Sequence, residues 1–436
     1  MKYVLVIPDG MGDNPVKKLG GRTPLEAART PNMDFLASRG TVGVCQNIPK
    51  GFTPGTDIGC MSVFGYDPSK FYTGRGPLEA AELGIRLKKN DLAFRCNLVT
   101  VKGGLLKDFC AGHISTHEAA ALLGFLNRHL TASERRRVRF YPGDGTGYRN
   151  LMVYRGNGNG PAKAHCVPPH DIMGRSFRKF LPKGKGAGFL TELMIRSLGL
   201  FPEHPVNLKR ARRKMGEASM IWLWGQGSTP SFPSYKKKFG LRGGVITAVD
   251  LVKGMALHAG LDVIRVPGVT GYFDTNYRGK AEYALRALKK RDLVVIHVES
   301  TDEAGHMGDA KLKVKAIEDV DKLVLGTLRK GLKKFGAHKI MVMPDHFTCV
   351  ETRTHSSAPV PFFIYSNRNE KKGPEKFCEK TAQASGISVK QGHRMMDLFL
   401  KGVSLRGGRR RRPTKQSPRR LLRPPRRARN DTATHG

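Results

Sequence analysis

Apolar positions in this chain fall into short uninterrupted runs, and three of those runs end at or near an acid. Residues 3–8 stop at Asp9, residues 293–299 fall just short of Asp302, and residues 339–344 stop at Asp345. Runs this short, with no alternation, predict strands buried on both faces, as in a parallel sheet. Residues 77–83 read as a short helix. The pattern then changes: residues 88–188 mix strand-like runs at 93–101 and 151–154 with a helix near 118–128, which predicts an inserted α+β domain. The Pro/Gly/Lys stretch 182–188 reads as a flexible return, and residues 190–198 resume helical spacing. From residue 220 onward strands (220–224, 244–248, 262–266) alternate with helices (252–259, 280–289), which predicts a parallel sheet covered on both faces. The expected fold class is α/β, a mostly parallel sheet sandwiched by helices. Residues 1–85 and 190–403 form one discontinuous domain, 86–189 the smaller insert and 404–436 a tail.

Composition narrows the function classes. No apolar run approaches the roughly 18–20 residues that span a bilayer, and the opening strand meets Pro8-Asp9-Gly10 too soon for a signal peptide, so no membrane role is expected. Seven cysteines, an odd number without CxxC spacing, predict reduced thiols in a cytoplasmic protein. Lys+Arg outnumber Asp+Glu by 76 to 36, a formal charge of +40. Residues 404–436 hold twelve of the basic residues against the single acid Asp431. That tail reads as a disordered appendage able to touch RNA or other polyanions nonspecifically. The positive charge elsewhere suits an anionic substrate.

Open parallel sheets bind ligands at the carboxyl ends of their strands, so three acids at three such ends can converge across hundreds of residues. Histidines complete the set. His306 follows Asp302 by one helical turn, His346 follows Asp345 directly, and His355 lies a short loop away. Mixed carboxylate and imidazole ligands suit Mn²⁺, Zn²⁺ or Mg²⁺, with the histidines arguing against Mg²⁺ alone. Two divalent metals point to phosphoryl transfer, which needs a nucleophile. The Pro/Gly loop 54–55 turns into a helix at Thr56, where free backbone N–H groups face an anion and a cation can activate the hydroxyl. Ser62 is the competing hydroxyl, almost two turns deeper. Trp222 and Trp224 alternate as strand residues do and read as core. Gly225 and Gly227 lack a full dinucleotide fingerprint.

Several ordered motifs carry a resemblance: Asp9-Gly10-Met11-Gly12-Asp13, Thr23-Pro24-Leu25-Glu26-Ala27-Ala28, Gly65-Tyr66-Asp67-Pro68, Tyr72-Thr73-Gly74-Arg75-Gly76-Pro77-Leu78-Glu79-Ala80 and Thr301-Asp302-Glu303-Ala304-Gly305-His306. From residue 1 to about 401 the chain resembles the archaeal-type cofactor-independent phosphoglycerate mutases of the alkaline phosphatase superfamily. The resemblance implies that Asp9, Thr56, Asp345 and His346 hold one divalent ion, that Asp302, His306 and His355 hold the other, and that no 2,3-bisphosphoglycerate is needed. It implies conversion of 3-phosphoglycerate to 2-phosphoglycerate through a phosphothreonine, inside an insert that clamps the phosphoglycerate and excludes water. His113 and Arg149 from the insert, with Lys253 from the main domain, are the candidate substrate-binding residues. The family usually has serine at Thr56, histidine at Asn150 and proline at Phe347. Two other readings stay open. Bacterial relatives with a similar Trp-Leu-Trp-Gly-Gln-Gly segment have been proposed to phosphorylate homoserine, and a nucleic-acid-binding protein could retain a vestigial metal site. The oligomeric state is not legible.

Overall fold

The apolar runs that end at acids lie side by side. In a computed structural model that describes residues 1–145, 147–156 and 160–401, strand Lys2–Pro8 pairs in parallel with Leu293–Val298 on one side and His338–Val342 on the other. These three occupy the centre of an eight-stranded sheet. Its order is Ser388–Val389, Gly40–Cys45, Val360–Ser366, His338–Val342, Lys2–Pro8, Leu293–Val298, Gly243–Ile246 and Asp262–Val263. Val360–Ser366 is antiparallel to both of its neighbours, and the other pairings are parallel. All six residues of Leu293–Val298 are buried, as a strand covered by helices on both faces requires. The α/β, mostly parallel architecture expected from the pattern is therefore present. The expected strand over 262–266 shortens to Asp262–Val263 at the sheet edge.

A second sheet is antiparallel throughout. Strand Leu92–Lys102 is flanked by Arg149–Tyr154 on one side and Met220–Ser228 on the other, with Leu105–Asp108 and Val138–Tyr141 completing it. The strand expected at 220–224 thus exists but belongs here, not in the parallel sheet. Met220 to Trp224 are all buried, like the central parallel strands, but pack with Phe94, Leu98 and Met152 in a second core. Helix Thr116–Arg128 covers this core through Ala119, Leu122, Leu123 and Leu126, and begins at a capping box in which Ser115 and Glu118 exchange side-chain and backbone hydrogen bonds. Helix Ala187–Leu200 adds Leu190, Leu193 and Met194 to the same core. The 182–188 stretch is therefore a turn within this second layer.

All described residues belong to one compact unit, and none of its helices is long and apolar enough to cross a membrane. The basic tail, 404–436, lies outside the described residues.

Buried polar ties fix the loops at the carboxyl ends of the central strands. Lys313, with no exposed surface, donates to Asp13 (2.9 Å), Thr348 O (2.7 Å) and Gly12 O (3.2 Å), joining the loop after Asp9 to the loop after Asp345. Gly10, at φ +58°, permits the close crossing of these loops, because a Cβ there would sit 2.3 Å from Thr348 Oγ1.

Candidate metal centre

Each ligand candidate is delivered by its strand end. Asp9 immediately follows Lys2–Pro8, and Asp302 and His306 lie one turn apart on helix Ser300–Met307, directly beyond Leu293–Val298. Asp345 and His346 follow His338–Val342, and His355 returns on the hairpin Phe347–Cys349/Thr354–Ser356. Thr56 opens helix Thr56–Val63, whose Gly59 packs so closely on Asp345 that a Cβ would meet its carbonyl at 2.7 Å.

Two groups of donors result. Asp302 Oδ2 is 3.3 Å from His306 Nε2, Asp302 Oδ1 is 3.4 Å from His355 Nε2, and the two histidine Nε2 atoms are 2.9 Å apart. In the other group, His346 Nε2 is 3.4 Å from both Asp9 Oδ1 and Asp345 Oδ2, and Thr56 Oγ1 lies 3.4 Å from His346 Nε2 and 3.5 Å from Asp9 Oδ2. The groups adjoin, since the His346 and His355 rings are 4.2 Å apart. All seven residues proposed from sequence converge. Ser62 does not: it donates to Asn47 O at 2.6 Å, and Asn47 in turn donates to the Pro344 and Asp345 carbonyls.

The donor set fits divalent cations. Burial, reinforced by Asp345 and Asp302, pushes the Asp9 carboxyl well above the usual range, and its Oδ1 is buried with no hydrogen-bond partner. A cation at that oxygen would satisfy it and relieve the crowding of acids. Burial also opposes charge on Asp302, but hydrogen bonds from His306 and His355 overcome it and hold that carboxyl well below its ordinary value. The same Asp302 bond raises His306 to about 9. Burial lowers His346, favouring the neutral ring that ligates metals. Thr348 Oγ1, which the sequence reading did not single out, donates to Asp302 Oδ1 and lies 3.2 Å from His346 Nδ1, so it braces both groups.

Thr56, Asp9 and Asp302 open into a cleft of about 200 Å³. Arg75, Arg95 and Arg149 line it, together with Asn150. Arg75 is oriented by a bidentate pairing with buried Asp57 (2.9 and 3.2 Å), and Arg95 by Glu79 at 3.0 Å. Both guanidinium groups sit over Trp224, at 5.6 and 4.5 Å from the ring. Burial, with Arg149 and Arg75 nearby, lowers Arg95 to about 10 despite Glu79. Of the three substrate-binding candidates, Arg149 lines this cleft. His113 sits exposed in a loop at φ +52°, and Lys253 is engaged by Asp250 (2.8 Å) and Glu82 (3.5 Å); neither lines the cleft. Trp222 and Trp224 are 1% and 4% exposed, core residues as expected, although the Trp224 ring also backs two cleft arginines. Asn150 accepts from Gly143 N and donates to Gly147 O, so its amide is tied to its own loop.

Comparison with known proteins bears on the family and the fold. Residues 37–207 match the family model described as 2,3-bisphosphoglycerate-independent phosphoglycerate mutase. The chain is 47% identical over 405 residues to a probable 2,3-bisphosphoglycerate-independent phosphoglycerate mutase of Geobacter sulfurreducens, and 46% identical over 403 residues to the mutase of Methanosarcina acetivorans. Each alignment covers 92% of this chain and 100% of the relative. Among solved structures, the protein PH0037 of Pyrococcus horikoshii superposes with a TM-score of 0.77 at 30% identity, covering 92% of this chain and 96% of that one. The cofactor-independent phosphoglycerate mutase of Thermoplasma acidophilum superposes with a TM-score of 0.62 at 26% identity, covering 92% and 99%.

Proposed function

The chain belongs to the 2,3-bisphosphoglycerate-independent phosphoglycerate mutase family, and from that premise we propose that it interconverts 3-phosphoglycerate and 2-phosphoglycerate through a phosphothreonine at Thr56. The observation that carries the reading is the position of Thr56 Oγ1, within 3.5 Å of Asp9 and His346 and open to an arginine-lined cleft. Asp9, Thr56, Asp345 and His346 would hold one divalent ion, and Asp302, His306 and His355 the other. When bound, such ions stabilise charge on phosphoryl oxygens and favour ionisation of the hydroxyl beside them.

Thr56 Oγ bonds to phosphorus as the bond from phosphorus to the substrate's C3 oxygen breaks, and the proton that Thr56 gives up ends on that oxygen. The freed glycerate turns within the cleft. Its 2-hydroxyl then attacks the phosphothreonine and its proton returns to Thr56, so the cycle balances without a co-reactant. Arg75, Arg95 and Arg149 receive the carboxylate and retain the glycerate between the two steps. Water must stay out meanwhile, because hydrolysis of the phosphothreonine would make a phosphatase. The second layer, from the insert at 86–189 on to strand Met220–Ser228, is the clamp in this reading. The enzyme works in the cytoplasm on a free metabolite, and the basic tail is a separate, nonspecific polyanion contact.

The test is a substrate panel on manganese-loaded protein. Turnover of 3-phosphoglycerate that vanishes in Thr56→Ala, with metal content unchanged, is the expected result. Retained turnover in that variant, or phosphate transfer to homoserine from a donor without mutase activity, would overturn the assignment.

A further inference from the structure

His297 was not among the sequence candidates, because it lies inside the apolar strand Leu293–Val298, yet it reaches the metal centre from behind. Its Nε2 lies 3.2 Å from Asp9 Oδ2, a charge contact outside hydrogen-bond geometry, while its Nδ1 is hydrogen-bonded to Glu299 Oε1 at 3.1 Å. Glu299 is locked in turn: it accepts from Lys280 Nζ (2.8 Å), Thr247 Oγ1 (3.0 Å) and Ala248 N (2.8 Å). Lys280 also donates to His297 O at 2.7 Å. His297 and Lys280 have no exposed surface and Glu299 has almost none. Such a row of buried charges stabilises a fold poorly compared with apolar packing, so its presence behind Asp9 calls for a role.

We propose that His297 is a positioning residue: pressed between the carboxylates of Asp9 and Glu299, it sets the orientation of Asp9 so that Oδ1 faces the cation shared with Asp345 and His346. The restraint runs from helix Tyr277–Leu288 through Lys280 and Glu299 to His297, and so to a ligand on a different strand. Outer partners of this kind hold metal ligands at the angle coordination needs. The inference rests on the two-ion reading above. A rival arrangement uses the same atoms differently. Cys60, His297 and Asp345 also converge closely enough to share an ion, with Cys60 Sγ 3.7 Å from Asp345 Oδ2, which would make His297 a direct ligand beside a thiolate.

The experiment is a Mn²⁺ titration of the chelator-stripped full chain, with free Mn²⁺ read by electron paramagnetic resonance, for wild type, His297→Gln, Glu299→Gln and Cys60→Ser. We expect two bound ions in wild type. His297→Gln weakens one of them by about 10–100-fold and leaves the other unchanged. Glu299→Gln weakens the same ion, and Cys60→Ser neither. Thermal melts report folding, and Glu299→Gln, a near-isosteric change, carries the test if His297→Gln does not fold. Two affinities equal to wild type in both the His297 and Glu299 variants would overturn the proposal. So would a thiolate-to-cobalt absorption band in Co²⁺-loaded wild type that Cys60→Ser removes. A wild type binding fewer than two ions would instead defeat the two-ion reading, and this proposal with it.

Discussion

The cleft has two unlike sides. Its floor is the rim of the parallel sheet, where Asp9, Asp345 and His346 are buried and each is delivered by the end of a central strand. Its wall comes mainly from the second layer and the segment leading into it, where Arg75, Arg95 and Arg149 present cations on an antiparallel sheet and its approach. The floor gathers carboxylates and imidazoles, whereas the wall presents three guanidinium groups, two of them held by the carboxylates of Asp57 and Glu79. A phosphorylated hydroxy acid fits that division: phosphate on the metal side, carboxylate on the arginine side. Under the proposed function, chemistry falls to one layer and retention of glycerate to the other, so the two should be separable by mutation.

The sharpest separation should come from the floor. Thr56→Ala is expected to lower kcat on the order of 10⁴-fold or more, with Mn²⁺ stoichiometry unchanged, measured by steady-state turnover beside metal analysis. Metal removal should do the same without any mutation: dialysis against a chelator abolishes turnover and added Mn²⁺ restores it, whereas activity surviving in metal-free protein would break the division. On the wall, Arg95→Leu or Arg149→Ala should reduce kcat/KM by roughly 10–100-fold, the equivalent of about 1.5–3 kcal/mol for a charge-assisted hydrogen bond, mostly through KM. If those variants lose kcat as completely as Thr56→Ala, the wall shares in the chemistry. Lys313→Met tests the scaffold beneath the floor. It leaves Asp13 buried without its cation and should cost about 3–5 kcal/mol, read as a lowered denaturation midpoint. The smallest effect is expected at His113, which is exposed and away from the cleft: His113→Ala should leave kcat/KM within about twofold.

The convergence at the floor was legible in the sequence because Asp9, Asp302 and Asp345 each follow an apolar run, and because parallel sheets gather strand ends at one rim. Ser62 could be set aside from its depth in the helix alone. The wall was harder to read. Arg95 is a charged residue in a buried strand, a signal present in the sequence, but its value depends on Trp224, which arrives from residues assigned to the other sheet. His113 and Lys253 are basic residues of the right type whose surroundings could not be known: a loop turned to solvent for the first, and for the second Asp250 on its own helix together with Glu82 on a neighbouring one. His297 was hidden by the same apolar run that revealed Asp302. A histidine inside an otherwise aliphatic strand, five residues before a ligand, is the mark to look for.

The proposed chemistry needs two cations beside the Thr56 hydroxyl at this rim. Anomalous diffraction at the manganese edge from crystals of the Mn²⁺-loaded protein tests it directly. Two peaks are expected, one among Asp9, Thr56, Asp345 and His346 and one among Asp302, His306 and His355. A single peak, or peaks out of reach of Thr56 Oγ1, would contradict it.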